Sequence, residues 1–229
     1  MRITYHGHAC CSLFTAGGME ILIDPFITGN PQCRQAAADF HPDAILLTHG
    51  HNDHLGDALA IARANNAVLI GQVDLLNQLD TQGIDNIAFN LGGSVNVRDA
   101  QIHMVAAWHG SSVAREDGKH YGGVACGYVV EDEPHSVYHA GDTALFGDMG
   151  TVISRYGLDC ALLPIGGFYT MGSADAITAA HWLKAKQVIP MHYNTFPAIT
   201  VDVAEFARQL EDKTESRAAV LAPGESIQL

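Results

Sequence analysis

Positive charge is scarce in this chain: 12 Lys and Arg stand against 25 Asp and Glu in 229 residues, a formal charge of −13. That shortage argues against a nucleic-acid backbone or an anionic membrane as the main partner, since both are bound through opposite charge. A small molecule is the expected substrate. No apolar run approaches the roughly 18 residues needed to cross a bilayer. The opening MRITYHGHACC places histidines where a signal peptide carries its apolar core, so export is not expected and a cytoplasmic location is. The five cysteines are odd in number and form no C-x-x-C pair, which removes a disulfide framework or a zinc knuckle. Pro/Ser-rich linkers, charge blocks and low-complexity tracts are missing too. One domain spanning residues 1–229 is therefore the expected organisation.

Histidine, by contrast, is abundant, with 13 copies in a chain that holds only 12 Lys and Arg. Histidine is the commonest side-chain metal ligand, and the excess asks for a reason.

Apolar alternation predicts a β-meander over RITYH, SLFTA and MEILID, the last two joined across Gly17-Gly18. The buried-strand run AILLTH (44–49), a helix over LGDALAIARANN and the strand AVLIG follow. Strands over NIAFNL and AQIHMVAAW lead to a polar loop around SSVAREDGKHYGG, after which VACGYVVE and HSVYHAGD repeat the hairpin style. A helix over DMGTVISRY, strand CALLPIG, helix SADAITAAHWLKA, strand QVIPMH and helix VDVAEFARQLED then alternate. Each half opens with antiparallel strands and ends in strand-helix units. This α/β pattern predicts two sheets face to face with helices on the outer surfaces, because several strands are apolar on both faces.

The strongest local signal is T-H-G-H-N-D-H-L-G-D, Thr48 to Asp57, between a buried strand and a helix. His49 and His51, two apart in an extended segment, project to one side. The turn into the helix can bring Asp53 and His54 toward a neighbouring point. Imidazoles and carboxylates at this density suit zinc, manganese or iron. Four side chains cannot complete two metal shells, and three further strand ends offer donors: His109 after AQIHMVAAW, Asp142 after HSVYHAG and His192 after QVIPM.

With that set the sequence resembles the metallo-β-lactamase superfamily, whose pattern is H-x-H-x-D-H, then a His, an Asp in a strand-end turn, and a last His. The stretches YHGHACCSL, HAGDTALFGDM and PIGGFYTMGSADAITAAHWLKAKQVIPMHYNTFP look like its prokaryotic metal-dependent hydrolase branch, which is similar to the L-ascorbate-6-phosphate lactonase and N-acylphosphatidylethanolamine phospholipase D branches. The resemblance implies a four-layer αββα sandwich of two related halves. It implies two divalent ions, with His49, His51 and His109 on the first, Asp53, His54 and His192 on the second, and Asp142 bridging both. Zinc is the first expectation, with manganese, nickel and iron as alternatives. Phe168 departs from the branch, whose members often carry a polar residue there.

Two such ions with a bridging hydroxide make hydrolysis the natural chemistry. Two Asp and one hydroxide against two divalent ions leave a local charge of about +1, which would attract a small anionic ester, lactone or phosphodiester. Asp53 and Asp142 are the expected catalytic carboxylates. His6 and His8 end the first strand; a core or surface role is the ordinary reading for both, while the resemblance puts their turn near the cavity, where His8 would be the proton donor or substrate contact. Asp57 either orients an imidazole or favours a helix N-terminus. Ser111 and Ser112 lack the G-x-S-x-G elbow of a nucleophilic serine. A di-iron redox protein and a non-catalytic metal-dependent binding protein are the alternative uses of the fold. The first usually carries Glu where His51 stands and needs a flavin domain, and the second should show missing ligands. A homo-oligomer is compatible with the sequence.

Overall fold

The computed structural model describes residues 1–229. The strands are β1 (Arg2–Gly7), β2 (Cys10–Phe14), β3 (Glu20–Ile23), β4 (Ala44–Leu46), β5 (Val68–Gln72), β6 (Asn86–Phe89), β7 (Ser94–Val97), β8 (Ala100–Ala106), β9 (Ser112–Arg115), β10 (Gly118–Tyr121), β11 (Cys126–Asp132), β12 (His135–His139), β13 (Cys160–Pro164), β14 (Gln187–Met191), β15 (Arg217–Ala218) and β16 (Ser226–Gln228). The helices are α1 (Asn52–Leu55), α2 (Ala58–Asn65), α3 (Val73–Leu76), α4 (Asp148–Thr151), α5 (Ser173–Leu183) and α6 (Val203–Lys213).

Two seven-stranded sheets carry the chain, in the orders β16-β1-β2-β3-β4-β5-β6 and β15-β14-β13-β12-β11-β8-β7. In the first, β1 to β3 pair antiparallel and β3 to β6 parallel. The second repeats the scheme: β7, β8, β11 and β12 are antiparallel, and β12 to β15 parallel. Strand parity explains the layers, because successive side chains point to opposite faces. Ile21 and Ile23 of β3 join the core shared with Met104, Tyr128 and Val130 of the second sheet. Leu22 points the other way, onto Ile45, Leu47 and the α2 residues Ala58 and Ile61. Helices α5 and α6 supply Ala176, Ala180, Phe206 and Leu210 to the packing of the second sheet. The α/β sandwich expected from the sequence is the observed fold.

The sheets are fastened to each other at one end. Tyr128 Oη donates to Leu47 O at 2.7 Å, and Cys126 N donates to Thr48 O at 3.0 Å. Those bonds lie beside the His49 loop and fix one sheet's strand ends against the other's.

Three local expectations need correction. The helix read over LGDALAIARANN starts earlier, at Asn52, breaks at Gly56 with φ 42, and resumes as α2. The break is steric: a Cβ at position 56 would collide with the Pro25 carbonyl and lie 2.7 Å from Phe26 Cα. The helix over DMGTVISRY divides at Val152 into α4 and a 3-10 turn, Ile153–Tyr156. The polar loop around SSVAREDGKHYGG is a hairpin, β9-β10, turning at Glu116-Asp117 with Gly118 at φ +130. Its polar composition concealed the period-2 alternation. Strands β7, β15 and β16 and helix α3 are short elements that the sequence reading did not resolve.

Candidate metal centre

The carboxyl ends of the strands in both sheets open on the same crevice, where ligands collect in α/β folds. After β4 the chain continues extended through Thr48, His49 and Gly50, and His51 is the N-cap of the single turn α1, so Asp53 and His54 project from a helical turn rather than from an extended loop. The second sheet contributes His109 beyond β8, Asp142 beyond β12 and His192 beyond β14. All seven residues singled out in the sequence meet in this crevice.

They fall into two groups about one carboxylate. His49, His51 and His109 form the first, with His49 Nε2 2.9 Å from His51 Nδ1. Asp53, His54 and His192 form the second, together with His8. Asp142 faces both: Oδ1 is 3.2 Å from His54 Nε2, and Oδ2 is 3.1 Å from His192 Nε2 and 3.5 Å from His109 Nε2. Donor atoms 2.0–2.1 Å from a tetrahedral ion are separated by about 3.3 Å, so this spacing fits shared coordination.

The second layer fixes the tautomers. Thr48 Oγ1 donates to Asp24 Oδ2 at 2.6 Å and so accepts from His49 Nδ1 at 3.0 Å. His54 Nδ1 donates to Asp24 Oδ2 at 2.7 Å. The Nε2 lone pairs of His49 and His54 are thereby aimed into the crevice, as carboxylate-oriented metal ligands are. His54 Nε2, Asp142 Oδ1 and both ring nitrogens of His192 are buried without any hydrogen bond. His54 Nε2 and Asp142 Oδ1 lie 3.2 Å apart without the geometry of a hydrogen bond. Buried polar atoms are rarely left so, and a cation satisfies them together.

The electrostatics agree. Burial pushes the imidazoles of His49, His51 and His109 below their ordinary range, toward the neutral form that binds metal. At His54 burial is outweighed by the Asp142 and Asp24 carboxylates, which hold it well above that range. Burial is likewise outweighed at Asp142, whose carboxyl is held well below the usual range by His54 and His192. The crevice draws positive charge.

His8 is fully buried at the back of the second group. Its Nδ1 lies 2.9 Å from Thr195 Oγ1 and its Nε2 3.2 Å from Asp53 Oδ2, and burial pushes its pKa down to about 4. His8, Asp24 and His192 all have positive φ, 56, 46 and 54°. Non-glycine residues in this region are strained and concentrate at functional sites.

Other candidates lie elsewhere. His6 is buried against Ser12 and Phe40. Ser111 Oγ is held between Gly122 O and Gly50 N. Asp57 orients no imidazole; it stands at the N-cap of α2 without a side-chain cap bond, and its carboxylate accepts from Ile27 N and Thr28 N. The orienting carboxylate is Asp24, which the sequence reading missed. Its signal was available: Asp24 ends the strand MEILI, just as Asp142 ends HSVYHAG.

A β-sandwich flanked by helices, with imidazoles and carboxylates gathered at its strand ends, is the architecture of a metal-binding α/β protein, and the similar proteins give its class. The family described as Beta-lactamase superfamily domain matches residues 2–192. A UPF0173 metal-dependent hydrolase of Bacillus mycoides is 45% identical over 231 residues, covering 100% of both chains. The structure of Igni18, a metallo hydrolase from the archaeon Ignicoccus hospitalis, is 36% identical with a TM-score of 0.88, covering 99% of this chain and 97% of that one. An isothiocyanate hydrolase from Delia radicum gut bacteria shares the fold at 22% identity, TM-score 0.76, covering 100% of this chain and 99% of that one. The chain belongs to the metallo-β-lactamase superfamily, in its UPF0173 family of metal-dependent hydrolases. No helix is long and apolar enough to cross a membrane.

Proposed function

We propose that the chain works as a single cytoplasmic domain that hydrolyses a small anionic ester, lactone or phosphodiester at a two-ion centre. His49, His51 and His109 would hold one ion, Asp53, His54 and His192 the other, and Asp142 both. One observation carries this reading: buried ring nitrogens and carboxylate oxygens converge on one crevice, and His54 Nε2, Asp142 Oδ1 and both nitrogens of His192 have no hydrogen-bond partner there. Zinc is the first choice for this donor set, and manganese, nickel and ferrous iron take the same donors. Bound there, two divalent ions supply an activated water at neutral pH and a Lewis acid for the attacked oxygen.

The protein's part is orientation. Asp24 and Thr48 keep His54 and His49 in the ligating tautomer. His8, with Nδ1 2.9 Å from Thr195 Oγ1 and Nε2 3.2 Å from Asp53 Oδ2, would hold the Asp53 carboxylate in place beside the reacting atoms. Elemental analysis after reconstitution, with a panel of lactones, phosphodiesters and carboxyl esters, tests the reading. Two equivalents of metal and chelator-sensitive turnover are expected; one equivalent or less at saturation, or turnover that survives demetallation, overturns it.

A further inference from the structure

Beside the candidate centre a cavity of about 330 Å³ opens, with His51, Asp53, His109 and Asp142 on its floor. One wall is the β9-β10 hairpin. Its register pairs Ser112 with Tyr121 and Ala114 with Lys119, so these four side chains share a face. The opposite face carries Val113, which is buried in the core around Ile45 and Leu75 and pins the hairpin down. Ser112, Ala114 and Lys119 accordingly line the cavity.

Lys119 is the one cationic side chain in that lining. The Lys and Arg ion pairs of the protein belong to Arg63, Arg98, Lys186 and Arg208, so Lys119 is left without a partner although acids outnumber bases about twofold. Tyr169 lines the cavity from the loop after β13. Its ring meets that of Phe168 edge-on, 4.8 Å between centroids. Both rings are exposed, Phe168 by 68% and Tyr169 by 55%. Two adjacent large aromatics left open beside a polar cavity are an apolar contact surface in want of a ligand.

We propose that Lys119 and the Tyr169–Phe168 pair form a substrate subsite for an amphiphilic anion. The negative oxygen of the substrate pairs with the Lys119 ammonium, and its hydrocarbon part lies against the two rings. Small polar anions would then bind less well than anions carrying an aryl or alkyl group. This rests on the reading that the crevice between Asp53, His109 and Asp142 is the reaction centre. The position where the resemblance implied a polar contact, Phe168, here serves an apolar one.

Calorimetric titration of phenylphosphonate and of methylphosphonate into the metal-loaded protein tests the subsite without turnover. Lys119→Met should weaken phenylphosphonate at least tenfold, with Lys119→Arg restoring most of the affinity. Tyr169→Ala should weaken phenylphosphonate severalfold and methylphosphonate hardly at all. Metal content and circular dichroism of each variant control for folding. Kinetics add a second readout: in Lys119→Met, kcat/KM for bis(4-nitrophenyl) phosphate relative to neutral 4-nitrophenyl acetate should fall at least tenfold, mainly through KM. If phenylphosphonate does not bind the wild type, or binds Lys119→Met equally well, the subsite is refuted even where ester hydrolysis stands. If the phosphonate pattern holds and no ester is hydrolysed, the subsite stands and the proposed reaction fails.

Discussion

Asp24 Oδ2 accepts the Nδ1–H of His54 at 2.7 Å, and both side chains are fully buried. The same carboxylate takes Thr48 N at 2.9 Å and Thr48 Oγ1 at 2.6 Å, so one residue at the end of β3 governs two imidazoles on a different stretch of chain. Its own left-handed backbone, φ 46, turns the carboxylate toward them.

Replacing Asp24 with Asn keeps the shape and removes the charge and one acceptor. Removal of such an outer carboxylate typically costs about 10–100-fold in metal affinity. Competition with a chromophoric chelator should therefore show one ion weakened by that factor in Asp24→Asn, and a smaller loss in Thr48→Val. An unchanged affinity would mean that Asp24 only braces the loop.

Asp142→Ala removes the carboxylate that faces both groups. Turnover should fall below detection and both ions should be lost on dialysis, whereas Asp142→Asn should keep the fold with one ion weakly held. Near-normal activity in the alanine variant would show that Asp142 is not shared.

His6 is buried neutral, with its pKa pushed down to about 4 by burial. Ser12 Oγ donates to Glu20 and accepts from His6 Nε2, which leaves Nδ1 as the buried, unpartnered acceptor. A folded-state value below the ordinary 6.5 means that the unfolded chain takes up the proton first. Its contribution to stability is therefore complete above pH 6.5 and is lost as pH falls toward 4, in total about 3 kcal/mol. Urea midpoints measured on metal-free protein between pH 7 and 4 should fall less steeply in His6→Gln than in the wild type; parallel curves would place the acid sensitivity elsewhere.

Gly56 has a positive φ of 42 and sits against the Pro25–Phe26 backbone. Gly56→Ala should destabilise the protein by more than about 1 kcal/mol, since strain and collision act together. Because the α1 turn carries Asp53 and His54, metal retention should drop with it. Full metal retention alongside a lowered melting temperature would separate the turn's stability from the geometry of the centre.

Periodicity alone carried much of the architecture. Alternating strands such as RITYH and MEILID, and strand-helix units such as CALLPIG followed by SADAITAAHWLKA, became β1, β3, β13 and α5. They were legible because burial on one or both faces imprints a period on neighbouring residues. The elements that escaped are short or polar: β15 and β16 make ladder bonds with distant partners, whereas β7 and the hairpin β9-β10 pair locally but bury few side chains that a local window would register.

The chemical type of the centre was already written in the order of the residues. Four imidazole and carboxylate donors between Thr48 and Asp57, with His109, Asp142 and His192 each closing a strand, state which atoms are offered and that strand ends offer them. How those atoms are aimed follows from the packing of the two sheets. Asp24 reaches His54 across 30 positions, His8 reaches Thr195 across 187, and Lys119 faces the crevice because Val113 is pinned on the other side of its hairpin. Spacing along a chain constrains the direction of side chains within one element, whereas tautomer, burial and facing charge depend on which elements the packed sheets bring together.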